Sequence, residues 1–227
     1  MKMLKKLRFL VFVGVLLVCS IPLAAGASSI NYDYINVANQ YTSPYAATVD
    51  NFDILMPAWS WAGDGAVVSA SVDGKYSAPG GVDGATKDIT KYVTVPQGSD
   101  SDGVGSYRAT NLGGVYNYFG LWWGSIDAYN TITFYLNDGV VETFTGANVI
   151  TASATYGDQY VYGSNHYVNF LGLPNFNSFE LSSTQFAFEA DNIAVGNVSV
   201  PEPATMLLLG LGLLGVAVIR RKFSFKV

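Results

Sequence analysis

Between residues 28 and 199, apolar side chains recur at every second position, in short runs rich in Val, Ile, Tyr, Phe and Thr. Successive side chains of an extended strand point to opposite faces, so this alternation demands half-buried strands and leaves no convincing amphipathic helix. Strands are expected at 30–36, 50–55, 66–72, 106–112, 115–123, 131–136, 140–145, 166–170, 178–181, 186–190 and 193–198. Asn137-Asp138-Gly139 separates two of them as a hairpin turn, because Asp and Gly tolerate positive φ. Ser182-Ser183-Thr184 reads as a similar turn. Many short antiparallel strands joined by Gly- and Asp-rich turns specify an all-β, antiparallel β-sandwich of jelly-roll type. The stretch 73–105 breaks the rhythm and reads as a long polar loop with one strand at 92–95, the kind of segment in which function or mobility resides.

Such a domain has to be stabilised by its core. The one cysteine of the chain, Cys19, lies near the N-terminus, so residues 28–199 hold no disulfide, no thiol nucleophile and no Cys-ligated metal. A segment of this length suits one domain and buries enough surface to stand without such staples. Its only cations are Lys75, Lys87, Lys91 and Arg108, against sixteen carboxylates, a formal charge of −12 that the whole-chain value of −5 conceals. Nucleic acid and anionic membrane surfaces are therefore excluded as partners.

The two ends have a different character. Lys2, Lys5, Lys6 and Arg8 precede an apolar run over 9–18, followed by Pro22 and the small residues Ala25-Gly26-Ala27. That order is a secretory signal peptide, 1–27, cleaved after Ala27. An N-terminal membrane anchor fits less well, since the apolar core is short and a cleavage site follows it. Lipoprotein processing at Cys19 is set aside because Val18 stands where a small residue is needed. At the other end, residues 204–219 are apolar and uncharged, and as a helix they are about 24 Å long, slightly under a hydrocarbon core of about 30 Å. Arg220, Arg221, Lys222 and Lys226 follow as a basic stop over 220–226, which places the tail inside and the domain outside.

A plain membrane anchor explains the apolar run and the basic stop, but not the residues that introduce them. Val200-Pro201-Glu202-Pro203, a Gly- and Leu-rich apolar helix and an Arg cluster together resemble the PEP-CTERM sorting tail of exported surface proteins in Gram-negative, biofilm-forming bacteria. The resemblance covers 200–227 and implies recognition by an exosortase, a membrane enzyme that cuts near Pro-Glu-Pro, with Val200, Pro201, Glu202, Pro203, Arg220 and Arg221 as the sorting residues. Some ice-binding proteins share this tail, which by itself says nothing about ice. The stretches 117–135 and 185–195 are similar to segments of other PEP-CTERM surface proteins and name no activity.

Catalytic chemistry has little support. The sequence contains no G-x-S-x-G, H-E-x-x-H, P-loop or dinucleotide-binding fingerprint. His166, the sole histidine, alternates with Val168 and Phe170 and reads as structural. Glu180 and Glu189 flank the 182–184 turn and are the pair to test for glycoside hydrolysis, which needs two facing carboxylates; solvated strand carboxylates explain them better. Asp100 and Asp102 in 98–105 begin like a calcium loop but lack the remaining acids of an EF-hand. The end of the domain, "FEADNIAV", resembles the end of jelly-roll carbohydrate modules, and that resemblance makes Asp191 the first choice for a structural Ca²⁺; no cofactor is otherwise expected.

Fifteen Tyr, thirteen Phe and four Trp, the last paired at Trp59, Trp61 and at Trp122, Trp123, read mostly as core. Strand alternation in "VYNYFGLWW" assigns Val115, Phe119, Leu121 and Trp123 to the core. Tyr116, Tyr118 and Trp122 then fall on the opposite face around Gly120, where a flat sugar would stack. The sequence thus describes an exported, non-enzymatic cell-surface protein, held briefly at the membrane and then part of the surface or extracellular matrix as a structural or adhesive companion of exopolysaccharide. A carbohydrate-binding jelly-roll module is the alternative, and a secreted glycoside hydrolase a remote one.

Overall fold

The computed structural model describes residues 28–33, 43–54, 58–81, 86–97, 102–150, 156–160, 163–199, 210–214 and 216. The chain divides into two units, Ala27–Ser199 and a second made of Met1–Gly26 and Val200–Val227. In the second unit only 210–214 and 216 are described, and they are helical. No helix among the described residues is long and apolar enough to cross a membrane. The expected signal peptide, the Val200–Pro203 motif and the basic stop lie outside the described residues, as does most of the expected apolar helix.

The first unit is built of β1 (Ser29–Asp33), β2 (Thr48–Asp50), β3 (Ser60–Gly63), β4 (Ala66–Val68), β5 (Tyr92–Val95), β6 (Gly105–Thr110), β7 (Tyr116–Gly124), β8 (Asn130–Leu136), β9 (Gly139–Thr145), the single helical turn α1 (Gly146–Val149), β10 (His166–Phe176), β11 (Ser178–Ser183) and β12 (Phe188–Gly196). They form a seven-stranded sheet, ordered β1-β10-β7-β12-β5-β4 with β2 also on β12, and a five-stranded sheet ordered β3-β6-β11-β8-β9. Every pairing is antiparallel.

Alternation accounts for the core. Phe119, Leu121 and Trp123 of β7 and Phe188, Ala190, Ile193 and Val195 of β12 meet Ile132 and Phe134 of β8 and Phe179 and Leu181 of β11 in one buried cluster. Phe119 joins the two sheets, its ring centroid 5.1 Å from that of Phe134 and 4.7 Å from that of Phe179. Trp123 stacks on Phe188 at 4.5 Å. The expected turn at Asn137-Asp138 is present, with φ of 49° and 67° between paired Leu136 and Gly139.

Two expectations fail on local geometry. Ser182-Ser183-Thr184 is not a hairpin turn: it leads from β11 of the five-stranded sheet to β12 of the other. The segments 186–190 and 193–198 are one strand, β12, with an irregularity between Asp191 and Ala194 where Asn192 has φ 48°. That left-handed residue absorbs one step of the alternation and returns Ile193 to the core.

The stretch 73–105 is not a free loop. Its first part lies on the outer face of the seven-stranded sheet, where Ser77 and Gly80 donate backbone N–H bonds to side chains of β12 and of the approach to β10. Outward-pointing Tyr92, Thr94, Trp122 and Tyr167 are consequently as buried as core residues.

Candidate functional site

β12 alternates Phe188 and Ala190 into the core with Glu189 and Asp191 on the outer face, where the overlying segment covers them. Glu189 Oε1 accepts the Ser77 N–H at 2.9 Å and Oε2 the Ser125 hydroxyl at 2.8 Å. Burial pushes its carboxyl up to about 8, although both bonds and the nearby Lys87 pull it down. Lys87 Nζ donates to the Gln159 carbonyl at 2.8 Å and to Ser77 Oγ at 3.3 Å, and lies 4.5 Å from the Tyr160 ring centre. Asn165 ties the cover down: its Oδ1 accepts from the backbone N–H of Gly80 and of Ser125, and its Nδ2 donates to the Asp158 carbonyl. Trp122 Nε1 donates to the Gly80 carbonyl at 3.0 Å.

Two positions further along the strand, Asp191 faces Asp88 of the cover. Burial, reinforced by the charge of Asp88, pushes the Asp191 carboxyl up to about 10. Asp88 closes a local turn, its Oδ1 accepting the N–H of Thr90 at 2.8 Å and the Thr90 hydroxyl. This buried polar layer can hold charge, a proton or a hard cation. Sequence reasoning singled out Glu189 and Asp191 but missed Asp88, Ser77, Lys87, Ser125 and Asn165, which sit in loops where no periodicity marks which side chain turns inward. The one local signal was Asp88-Ile89-Thr90, a spacing suited to a side chain that caps its own turn.

The expected stacking platform is corrected by burial. Tyr118 and Trp122 are 0 % exposed. The Tyr118 hydroxyl donates to Asn169 Oδ1 at 2.7 Å. The gap over Gly120 is filled by the hydroxyls of Tyr118 and Tyr167, which leave no room even for a Cβ. Tyr116 belongs to the core cluster against Phe176, while Val115, assigned to the core by strict alternation, is half exposed. The pairing of β7 with β10 shifts register between Leu171 and Phe176, and this breaks the alternation near Tyr116. Asn117 bonds both backbone groups of Val198 and anchors the end of the domain to β7.

Glu180 and Glu189 do not face one another. Phe179 and Leu181 point into the core, so Glu180 is on the outer face of the five-stranded sheet, while Glu189 is on the outer face of the other. Packed sheets are about 10 Å apart, and each carboxylate points away from the other. Glu180 instead accepts the Tyr135 hydroxyl at 3.3 Å, beside Arg108, whose guanidinium lies 4.0 Å from the Tyr135 ring centre. His166 is buried against Tyr32, at 5.1 Å between ring centres, and burial lowers its pKa to about 4. Asp102 is exposed, and Asp100 lies outside the described residues.

Among known proteins, one family model matches: the PEP-CTERM protein-sorting motif, over residues 199–222. No curated protein and no solved structure matches the chain. The matched segment contains Val200-Pro201-Glu202-Pro203, the apolar run and Arg220-Arg221. The chain therefore carries a PEP-CTERM protein-sorting motif at residues 199–222, and that motif implies a protein that is exported, held transiently at the membrane and processed by an exosortase.

Proposed function

We propose that this protein is a structural or adhesive component of the extracellular polysaccharide surrounding a Gram-negative cell, delivered there by its sorting tail. The observation that carries this reading is the tail at 199–222 following directly on a strongly acidic two-sheet domain. The strand order supports a jelly roll as the presenting scaffold. β5 pairs β12, β6 pairs β11, β7 pairs β10 and β8 pairs β9, and this four-rung ribbon is rolled so that β7 meets β12 and β8 meets β11. Rolling such a ribbon is how jelly rolls arise.

Glycan binding is the second reading, favoured by one surface. On the outer face of the five-stranded sheet, Tyr135 is bracketed by Arg108 and Glu180, with Thr131, Thr133 and Ser182 beside them in register. A partly exposed ring flanked by hydrogen-bonding groups suits a sugar face better than the buried Tyr118 and Trp122 do.

Co-sedimentation of the purified full-length protein with exopolysaccharide from the producing bacterium tests both. Retention by wild type and its loss in Tyr135→Ala favours the binding module. Equal retention by both, with weakened matrix cohesion when the gene is deleted, favours the structural role. Release of reducing ends from the polysaccharide, lost in Glu189→Gln, would replace both readings with hydrolysis.

A further inference from the structure

The contact between β12 and the segment that covers it contains two carboxylates that the fold buries without completing their bonding. Asp191 is 1 % exposed and Asp88 5 %. Each is held through one oxygen. Asp88 Oδ1 takes the Thr90 N–H and hydroxyl, and Asp191 Oδ2 takes the Asn192 side-chain amide at 3.1 Å. The other oxygens, Asp88 Oδ2 and Asp191 Oδ1, are buried and no protein donor reaches either. The two carboxyls are close enough to share a proton, and the charge of Asp53, whose Oδ1 is held by the Lys91 N–H, also acts on Asp191.

Buried acceptors of this kind are nearly always satisfied, and two buried carboxylates without a counter-charge are costly. No ion pair among the described residues reaches either carboxylate. Lys87 is directed to Gln159 and Ser77, and the one ion pair among the described residues is Arg108 with Asp138. An ionised carboxylate only accepts, so what completes both oxygens is either a proton between them or a cation bound by both. A hard divalent ion fits this all-oxygen pair, and the charge of Asp53 adds to the negative field around it. The domain is also exported, and calcium modules outside the cell work with dissociation constants of about 10⁻⁴–10⁻³ M.

We propose that Asp88 and Asp191 together bind one divalent cation, calcium by its ligand chemistry, which fastens the covering segment onto β12. Calcium takes about six to eight oxygens, so the two carboxylates leave its remaining positions to water and backbone carbonyls. The consequence is mechanical: with the ion bound, residues from both sides of the contact become ligands of one centre, and the cover resists peeling from the sheet.

The test uses the purified full-length protein, stripped with EDTA and held at constant ionic strength. Equilibrium dialysis with calcium should find one ion per chain, the melting temperature should rise with calcium, and magnesium should bind at least about tenfold more weakly, being slower to give up its water for an irregular site. Asp88→Asn and Asp191→Asn should each weaken calcium binding by tenfold or more, on the order of 1.4 kcal/mol. Asp138→Asn, on the far sheet, should leave it unchanged. Calcium should also slow proteolytic cleavage within residues 71–91 in wild type but not in Asp88→Asn. The proposal is overturned if stripped wild type binds no calcium at about 10 mM, or if both variants bind it as wild type does. It is equally overturned if Asp191→Asn raises the melting temperature of a protein that binds no calcium, because a shared proton then completes the pair. If Asp191→Asn does not fold, wild-type stoichiometry and Asp88→Asn decide.

Discussion

Trp122 and Trp123 are neighbours on β7 with opposite orientations, yet neither reaches solvent. Trp123 stacks on Phe188 within the core, whereas Trp122 lies beneath the cover and donates to the Gly80 carbonyl. Alternation in the sequence was enough to separate their faces. It was silent on the second, because a face counts as exposed only until something is laid over it. Trp122→Ala and Trp123→Ala should both cost about 3–5 kcal/mol in denaturant unfolding, since each leaves a large cavity. A nearly neutral Trp122→Ala would mean that the cover does not seal. Glu189 supplies a second prediction. Its carboxyl, raised to about 8 from an ordinary 4.5, binds its proton more tightly in the folded than in the unfolded state. That stabilisation is fully present below about pH 4.5 and is lost as pH rises through about 8. Gln imitates the protonated acid, offering an oxygen to the Ser77 N–H and an amide to the Ser125 hydroxyl. The stability of wild type relative to Glu189→Gln should therefore fall between about pH 5 and pH 8. His166, lowered to about 4 by burial, acts in the opposite direction but cancels in that difference. Parallel pH curves for the two proteins would show that Glu189 titrates as a solvated acid.

The elements show where sequence patterns hold and where they mislead. The β8–β9 hairpin was legible because Asn137-Asp138-Gly139 is a local signal that no tertiary contact has to complete. β10 was expected to stop at Phe170, yet it runs on to Phe176 through Gly172, at φ 67°, and Pro174. Those residues mark the register shift against β7 and not an end. β3, four residues ending in glycine on the edge of its sheet, is too short to carry a period. The polar cover was unreadable for another reason: its order comes from single side chains, above all Asn165, which no pattern announces. Asn165→Ala frees the buried N–H groups of Gly80 and Ser125 at once, and an unsatisfied buried donor costs about 1–3 kcal/mol. In hydrogen exchange, those two amides should lose protection in the variant while Phe119 and Leu121 keep theirs. Loss of protection across β7 as well would mean that the cover and the sheet unfold as one unit.

At the scale of the whole molecule, the sorting motif at 199–222 bears on where the protein goes and the two-sheet domain on how it survives there. A chain with one cysteine cannot form an internal disulfide, so its melting temperature should be the same with and without reductant; a drop on reduction would reveal a disulfide between chains. The tail poses the larger question. If the apolar run 204–219 were helical throughout, it would be about 24 Å long against a hydrocarbon core of about 30 Å, a mismatch accommodated only by thinning the bilayer or by flanking residues reaching for its surface. Transient residence tolerates that better than permanent anchorage, in keeping with the sorting motif at 199–222. Replacing Pro201-Glu202-Pro203 with three alanines leaves the apolar run and the basic stop intact, so export and insertion should proceed while processing fails. The variant should stay in the membrane fraction with an intact mass that includes Phe225 to Val227, and wild type recovered from the cell surface should lack those residues. Wild type carrying its full C-terminus at the surface would instead make the tail a lasting anchor, and the Pro-Glu-Pro entrance would then need another reader.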